Sequence, residues 1–212
     1  MEHIDSYFSD LTITKKRQFE TLVELFTEQN KKVNMISRND VENLEERHLL
    51  HSLAIAKFID FKPMTRILDL GTGGGFPGLP LAIMFPDCRF TLVDSIGKKI
   101  NIVKELIEGI GIKNTEAINA RAETLGSGFD FIVSRAVAPM SEIYSLGKKL
   151  IVKDNYNDLP NGFILLKGGD LNDEKISFRE QGGKGLKIIV KNIGKFFSEE
   201  FFVTKRIVYF PV

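Results

Sequence analysis

In the stretch "DLGTGGGFPG" (residues 69–78) a carboxylate, Asp69, stands two places before Gly71, and Gly73 and Gly75 follow at alternate positions. Glycines spaced this way let a backbone turn sharply and lie bare against a ligand, so that N–H groups rather than side chains meet it. The neighbouring carboxylate sets the sign of that ligand, because it repels a phosphate and welcomes a cation. A second carboxylate, Asp94, ends the run "RFTLVD" (89–94), where it can accept both hydroxyls of a ribose. Such residues suit a nucleoside that carries positive charge at its far end.

Three ligand classes use a glycine turn that follows a strand. A P-loop is excluded, since no Gly-Lys-Ser/Thr comes after the glycines. The dinucleotide pattern G-x-G-x-x-G is met formally at Gly73, Gly75 and Gly78, but Phe76 and Pro77 crowd that register and Gly71 is left unexplained. The pattern acidic-x-Gly-x-Gly-x-Gly is met in full by Asp69, Gly71, Gly73 and Gly75. It marks Rossmann-like methyltransferases that use S-adenosylmethionine, whose ammonium and sulfonium are both cationic. The competing reading of Asp69 is an aspartate that only caps the turn. Asp94 serves NAD as well as an adenosyl group and does not choose between them. "ARAE" (120–123) is placed to meet an adenine edge, with an ordinary exposed loop as the alternative.

These residues need strands to carry them. "RILDL" (66–70), "RFTLVD" (89–94), "TEAIN" (115–119), "FDFIVS" (129–134) and "GFILLK" (162–167) are short runs rich in β-branched and aromatic residues. Helical segments are expected between most of them, at 77–84, 97–109 and 140–153. That alternation predicts an α/β fold, with a mostly parallel sheet and helices on both faces. "LKIIVK" (186–191) and "KRIVYF" (205–210) lack a convincing helix between them and suit an antiparallel pair at the sheet edge, which makes seven strands. "GGDLNDE" (168–174) and "EQGGKG" (180–185) read as mobile connections. Ahead of the sheet, Phe19, Leu22, Val23 and Phe26 form the stripe of a helix over 15–33, and a second helix is expected over 41–59. The organisation is a helical cap over 1–60 and one compact Rossmann-like unit over 61–212.

Composition narrows the function classes. The chain of 212 residues is 43% hydrophobic and 27% charged, the balance of a globular protein with a sizeable core. No apolar run approaches the roughly 20 residues that cross a membrane, and the acidic start "MEHIDSYFSD" lacks a secretory signal. The single cysteine, Cys88, can neither close an internal disulfide nor build a metal cluster, so a cytoplasmic setting without a metal is expected. A net charge of +1 disfavours indiscriminate binding to nucleic acid, so any RNA-binding role needs local segregation of charge.

The run "RHLLHS" (47–52), "LDLGTGGGFPGLPLAI", "TLVDSIGKK", "ARAE", "VSRA" (133–136) and "LLKG" (165–168) resembles the glucose-inhibited division protein B family over about residues 20–170. The resemblance implies a class I S-adenosylmethionine-dependent methyltransferase fold. It also implies methyl transfer to N7 of a guanine in 16S ribosomal RNA, guanine 527 in the standard rRNA numbering. By matching positions, Gly71 and Phe76 would line the methionine and sugar, Asp94 would take the ribose, and Ala122 and Glu123 would meet the adenine. Arg135 would close the pocket toward the substrate. Many members carry an aspartate where this chain has His51.

The residues can be asked which methyl acceptor they permit. An exocyclic amine commonly needs an (Asp/Asn)-Pro-Pro-aromatic turn after the fourth strand, where this chain reads "SRAVAPM" (134–140). Methylation at C5 of a pyrimidine needs a cysteine nucleophile, and Cys88 lies before the second strand, away from the ligand end. Guanine N7 already bears a lone pair and asks only to be positioned, so no catalytic base is assigned. Arg47, His48, Lys98 and Lys167 are candidates to meet RNA, and Arg38 and Lys99 join Arg47, Lys98 and Arg135 in a local positive rim. For His48 a half-buried structural role competes, and Asn34 is either a helix cap or part of the site's rim. Phe196, Phe197, Phe201 and Phe202 could stack on bases, but burial in the sheet core is the favoured reading. The expected partner is 16S rRNA within a partly assembled small-subunit particle, met by a monomer. A nicotinamide-dependent dehydrogenase and a non-catalytic RNA-binding module are the rival readings.

Overall fold

A computed structural model describes residues 1–135 and 138–212, without the side chain of Arg38. The expected Arg38 contact and part of "SRAVAPM" therefore lie outside the described residues. Seven strands form one sheet: β1 (Arg66–Leu70), β2 (Arg89–Asp94), β3 (Thr115–Asn119), β4 (Phe131–Arg135), β5 (Gly162–Gly168), β6 (Ile189–Asn192) and β7 (Lys205–Pro211). Their order is β3-β2-β1-β4-β5-β7-β6, and only β7 runs against its neighbours. The central strands β1, β4 and β5 are nearly continuously buried because helices cover both faces. The chain steps outward from β1 through β2 to β3, then returns to β4 on the other side of β1. The switch opens a crevice above the carboxyl ends of β1 and β4.

Helices α1 (Glu2–Tyr7), α2 (Ile13–Lys32) and α3 (Arg38–Glu42) lead into a π-helical turn (Glu45–Leu50) that continues as α4 (His51–Phe58). The π turn was not expected from the sequence. It sets Arg47, His48 and His51 among the residues lining one cavity. The cap shares a single apolar core with the sheet: Phe19, Leu22, Phe26, Leu49 and Leu53 pack with Ile67, Phe90 and Phe131. Helices α5 (Gly78–Met84), α6 (Gly97–Ile110) and α7 (Met140–Gly147) are the crossovers. Among the described residues no helix is long and apolar enough to cross a membrane.

Three expectations need correction. The helix foreseen over 140–153 stops at Gly147, which lies so close to Ile132 and Phe163 that a Cβ would stand 2.6 Å from Ile132. Ile151 then bridges to Phe129 instead. The stretch "GGDLNDE" is not a connection throughout, because α8 (Asn172–Phe178) begins inside it and is anchored by Phe178 packing on Tyr144 and Phe210. The final strands do pair antiparallel, but β7 lies inside the sheet between β5 and β6, and strand β6 starts only at Ile189.

Candidate functional site

A cavity of about 970 Å³ opens at the carboxyl ends of the strands, at the switch between β1 and β4. Its floor is the glycine turn. Gly71, Gly73 and Gly75 all have positive φ, at 73°, 58° and 95°, and this left-handed backbone is open to glycine at little cost. Two carboxylates hold the turn. Asp69 is fully buried, and its Oδ2 accepts the Thr72 hydroxyl at 2.6 Å and the Gly78 N–H at 2.8 Å. Asp94 is half-buried and lines the cavity, its Oδ2 accepting the Gly73 N–H at 3.0 Å and its Oδ1 the Ile96 N–H at 2.9 Å.

Asp69 thus braces the turn from below, and its other oxygen, Oδ1, is buried without a hydrogen-bond partner. Burial pushes this carboxyl up to about 6, against the pull of Thr72, Gly78 and the Arg135 charge. A buried acceptor left over beside a bare glycine turn fits a cationic group such as an ammonium. Beyond Asp94, Ala122 and Glu123 line the cavity from a 3₁₀ turn (Ala122–Thr124) that follows β3, joined there by Ala120 and Arg121. The residues present therefore fit S-adenosylmethionine along its length, from ammonium through ribose to adenine.

The other half of the cavity is built by β4, β5 and the cap. Arg135 leaves the end of β4 and donates to the Arg47 carbonyl at 3.2 Å and to Nδ1 of His48 at 2.8 Å. Its guanidinium lies 5.2 Å from the centroid of Phe76, a buried ring that also meets Phe26 and His48 edge-on. Burial pushes Arg135 down to about 10 and His48 down to about 3, the latter helped by the Arg135 charge. His48 is therefore a neutral acceptor for Arg135 at neutral pH, with Nε2 carrying its proton.

Lys167 also lines this half, yet its ammonium is committed: it donates to Glu174 at 2.7 Å and to the Ala138 carbonyl at 2.6 Å. Glu174 in turn accepts the Met140 N–H, so the pair ties α8 to the start of α7. Lys98 and Asn34 are exposed and do not line the cavity, whereas Lys99 does. Sequence reasoning missed Asp40, which pairs with Arg47 at 3.4 Å, and both Phe201 and Lys205. Phe197 and Phe202 are buried as expected, but Phe201 is half-buried and stands on the cavity wall. Besides the Lys167–Glu174 pair, Arg47, Arg135 and Lys205 face a single lining carboxylate in this half, Asp40. The chain's near-neutral total thus hides a strong local segregation.

A second cavity, about 1000 Å³, opens at the amino ends of the strands around Arg66, Arg89 and Thr115. It contains neither the glycine turn nor a strand-tip carboxylate, and in open α/β sheets ligands bind at the carboxyl ends.

Comparison with known proteins identifies the chain's relatives and its fold. The family model described as rRNA small subunit methyltransferase G matches residues 15–196. A ribosomal RNA small subunit methyltransferase G of Bacteroides thetaiotaomicron is 49% identical over 209 residues, covering 99% of this chain and 98% of that protein. One from Porphyromonas gingivalis is 48% identical over 212 residues, covering 100% and 93%. Among solved structures, a SAM dependent methyltransferase from Aquifex aeolicus superposes with a TM-score of 0.58 at 16% identity, covering 82% of this chain and 98% of that one. Fibrillarin from Aeropyrum pernix with natively bound S-adenosyl-L-methionine gives 0.54 at 16% identity, covering 77% and 74%. At such identities the structures speak for the fold alone.

Proposed function

Since this chain belongs to the rRNA small subunit methyltransferase G family, we propose that it moves the methyl group of S-adenosylmethionine to N7 of one guanine in small-subunit ribosomal RNA. The observation that carries this reading is the division of the cavity. One half offers the bare glycine turn, braced from below by Asp69, with Asp94 on the wall, and the other carries Arg47, Arg135 and Lys205, cations suited to RNA phosphates. When bound, S-adenosylmethionine supplies a methyl group on a positively charged sulfur. Its methionine would lie along Gly71 and Gly73, over the turn that Asp69 braces with a negative charge that suits the ammonium, Asp94 would accept the ribose hydroxyls, and Ala122 with Glu123 would meet the adenine.

N7 attack needs no base: of the two imidazoles that line the cavity, His51 is held well below its ordinary value by burial, and His48 already uses Nδ1 to accept from Arg135. Its acidity leaves it unable to take up a proton near neutral pH. Arg135 and Arg47 position the RNA over the cofactor, and catalysis is a matter of alignment. The same reading takes the substrate as an accessible loop in a partly assembled subunit. The enzyme acts as a cytoplasmic monomer.

The test is incubation with labelled S-adenosylmethionine and unmodified small-subunit particles. Borohydride reduction and strand scission, mapped by primer extension, should then give one stop at one guanine. Label on an exocyclic amine, a ribose or protein would overturn the N7 assignment. Both adenosyl ligands should raise the melting temperature and NAD should not; equal stabilisation by NAD favours the dehydrogenase reading.

Asp94→Ala is expected to weaken S-adenosylmethionine binding by about 1.5–3 kcal/mol, the loss of hydrogen bonds to a charged acceptor. The variant also frees the Gly73 N–H, so Asp94→Asn, which keeps one acceptor oxygen, should lose less. Calorimetric titration of both variants decides it. Affinities equal to wild type would remove Asp94 from the cofactor site.

A further inference from the structure

Phe201 sits in a short 3₁₀ turn (Glu200–Phe202) just before β7, far along the chain from the glycine turn, and lines the acceptor half of the cavity. Perpendicular packing on His51, at 5.6 Å and 82°, and on Phe202, at 5.1 Å and 80°, holds its ring in place. Two cations lie over it. The Lys205 ammonium is 4.4 Å from the ring centroid and the Arg47 guanidinium carbon 5.8 Å. Among the described residues Lys205 has no carboxylate within ion-pair distance. The aromatic face is thus the nearest partner of its charge in these contacts. β7 pairs with β5 so that Lys205 lies opposite Gly168, where no side chain separates its amine from the β5 end of the cavity.

An aromatic face that gathers cations is suited to a base that becomes one. In the N7 reaction the guanine lone pair forms the new N–C bond while the S–C bond breaks and its electron pair stays on sulfur. No proton moves, and one positive charge passes from sulfur to the purine ring. A ring stacked on the purine therefore binds the transition state more tightly than the neutral guanine, which is what accelerates a reaction. We propose that Phe201 is the surface on which the acceptor guanine lies, displacing the Lys205 ammonium, and that its π-face stabilises the charge developing on that base. The inference rests on the N7 reading above.

The experiment replaces Phe201 with mono-, di- and trifluorinated phenylalanine by nonsense suppression, which drains the π-face while nearly preserving shape. Single-turnover methylation of small-subunit particles should slow with each fluorine, by about threefold to thirtyfold over the series, with S-adenosylhomocysteine affinity unchanged. Phe201→Tyr, which keeps a π-face, should lose less than Phe201→Leu, and Phe201→Leu should fall at least as far as the trifluoro ring. A binding readout accompanies it. In NMR titrations at about pH 6 with S-adenosylhomocysteine present, the wild type should prefer 7-methylguanosine monophosphate to guanosine monophosphate, and fluorination should erase that preference. A flat rate series, or full activity of Phe201→Leu, overturns the proposal. A wild-type enzyme that leaves guanine N7 unlabelled overturns the function it rests on, so the two failures are told apart.

Discussion

Gly73→Val is expected to lose S-adenosylmethionine binding by at least about a hundredfold while its far-UV circular dichroism stays that of the wild type. Gly73 holds φ at +58°, and a Cβ built on it would meet no heavy atom within 4 Å. The space that receives the new side chain is therefore the cavity itself, which Gly73 lines. Two costs combine. A β-branched residue in left-handed backbone is strained by roughly 1–2 kcal/mol, and its methyl groups occupy the path along which the methionine part would lie. Relief by rotating φ would break the Gly73 N–H bond to Asp94, so the second carboxylate would be disturbed as well. Gly73→Ala, with the same strain and less bulk, should fall between the two. Calorimetric titration reads all three, and a valine variant binding within about tenfold of wild type would place the cofactor elsewhere than on this turn.

What was legible in the sequence follows from how locally each feature is determined. β1, β2 and β3 match the runs 66–70, 89–94 and 115–119 residue for residue. Each is a short β-branched or aromatic run ended by glycine, proline or a polar turn. The glycine turn was legible for the same reason, since its conformation is written in consecutive residues. The acceptor half was not. Lys167 looked like a free strand-tip cation until α8, a helix held mainly by Phe178, brought Glu174 to it. In the sequence Phe201 reads as core and Lys205 is given no role, because their place depends on β7 entering the sheet beside β5. That pairing joins segments about forty residues apart, and no local spacing reports it. The π turn is another such case: it sets Arg47, His48 and His51 on one wall of the cavity, whereas an ordinary helical stripe was expected.

His51→Leu is expected to make the protein more resistant to acid. His51 is buried, its Nε2 has no hydrogen-bond partner, and Phe201 and Phe202 pack on its ring. Burial first, then the charges of Arg135 and Lys205, with His48 adding in the same direction and only the Arg47 carbonyl opposing, hold it well below its ordinary value. His48 lies low for related reasons. Below about pH 6.5 the unfolded chain takes up a proton at each histidine that the folded chain refuses, so stability falls as pH falls. Asp69 works in the opposite sense. Its folded carboxyl titrates at about 6 against 3.8 in the open chain, so between those values the folded state holds the extra proton and gains as pH falls. Two histidines against one aspartate leave the unfolded chain one proton ahead between about pH 6 and pH 4. From these three groups the wild type should therefore lose about 1.4 kcal/mol per pH unit in that window. Asp40, held low by its Ser37 hydrogen bond, adds to the loss only below about 3.8. Leucine at 51 keeps the apolar contacts and removes one of the two protons, so the remaining histidine and Asp69 nearly cancel. Urea unfolding of both proteins from pH 7 to pH 4 should show a free-energy difference growing by about 1.4 kcal/mol per unit below 6.5, in the variant's favour. Parallel curves would mean that His51 is protonated in the folded protein, its charge tolerated beside Arg135 and Lys205.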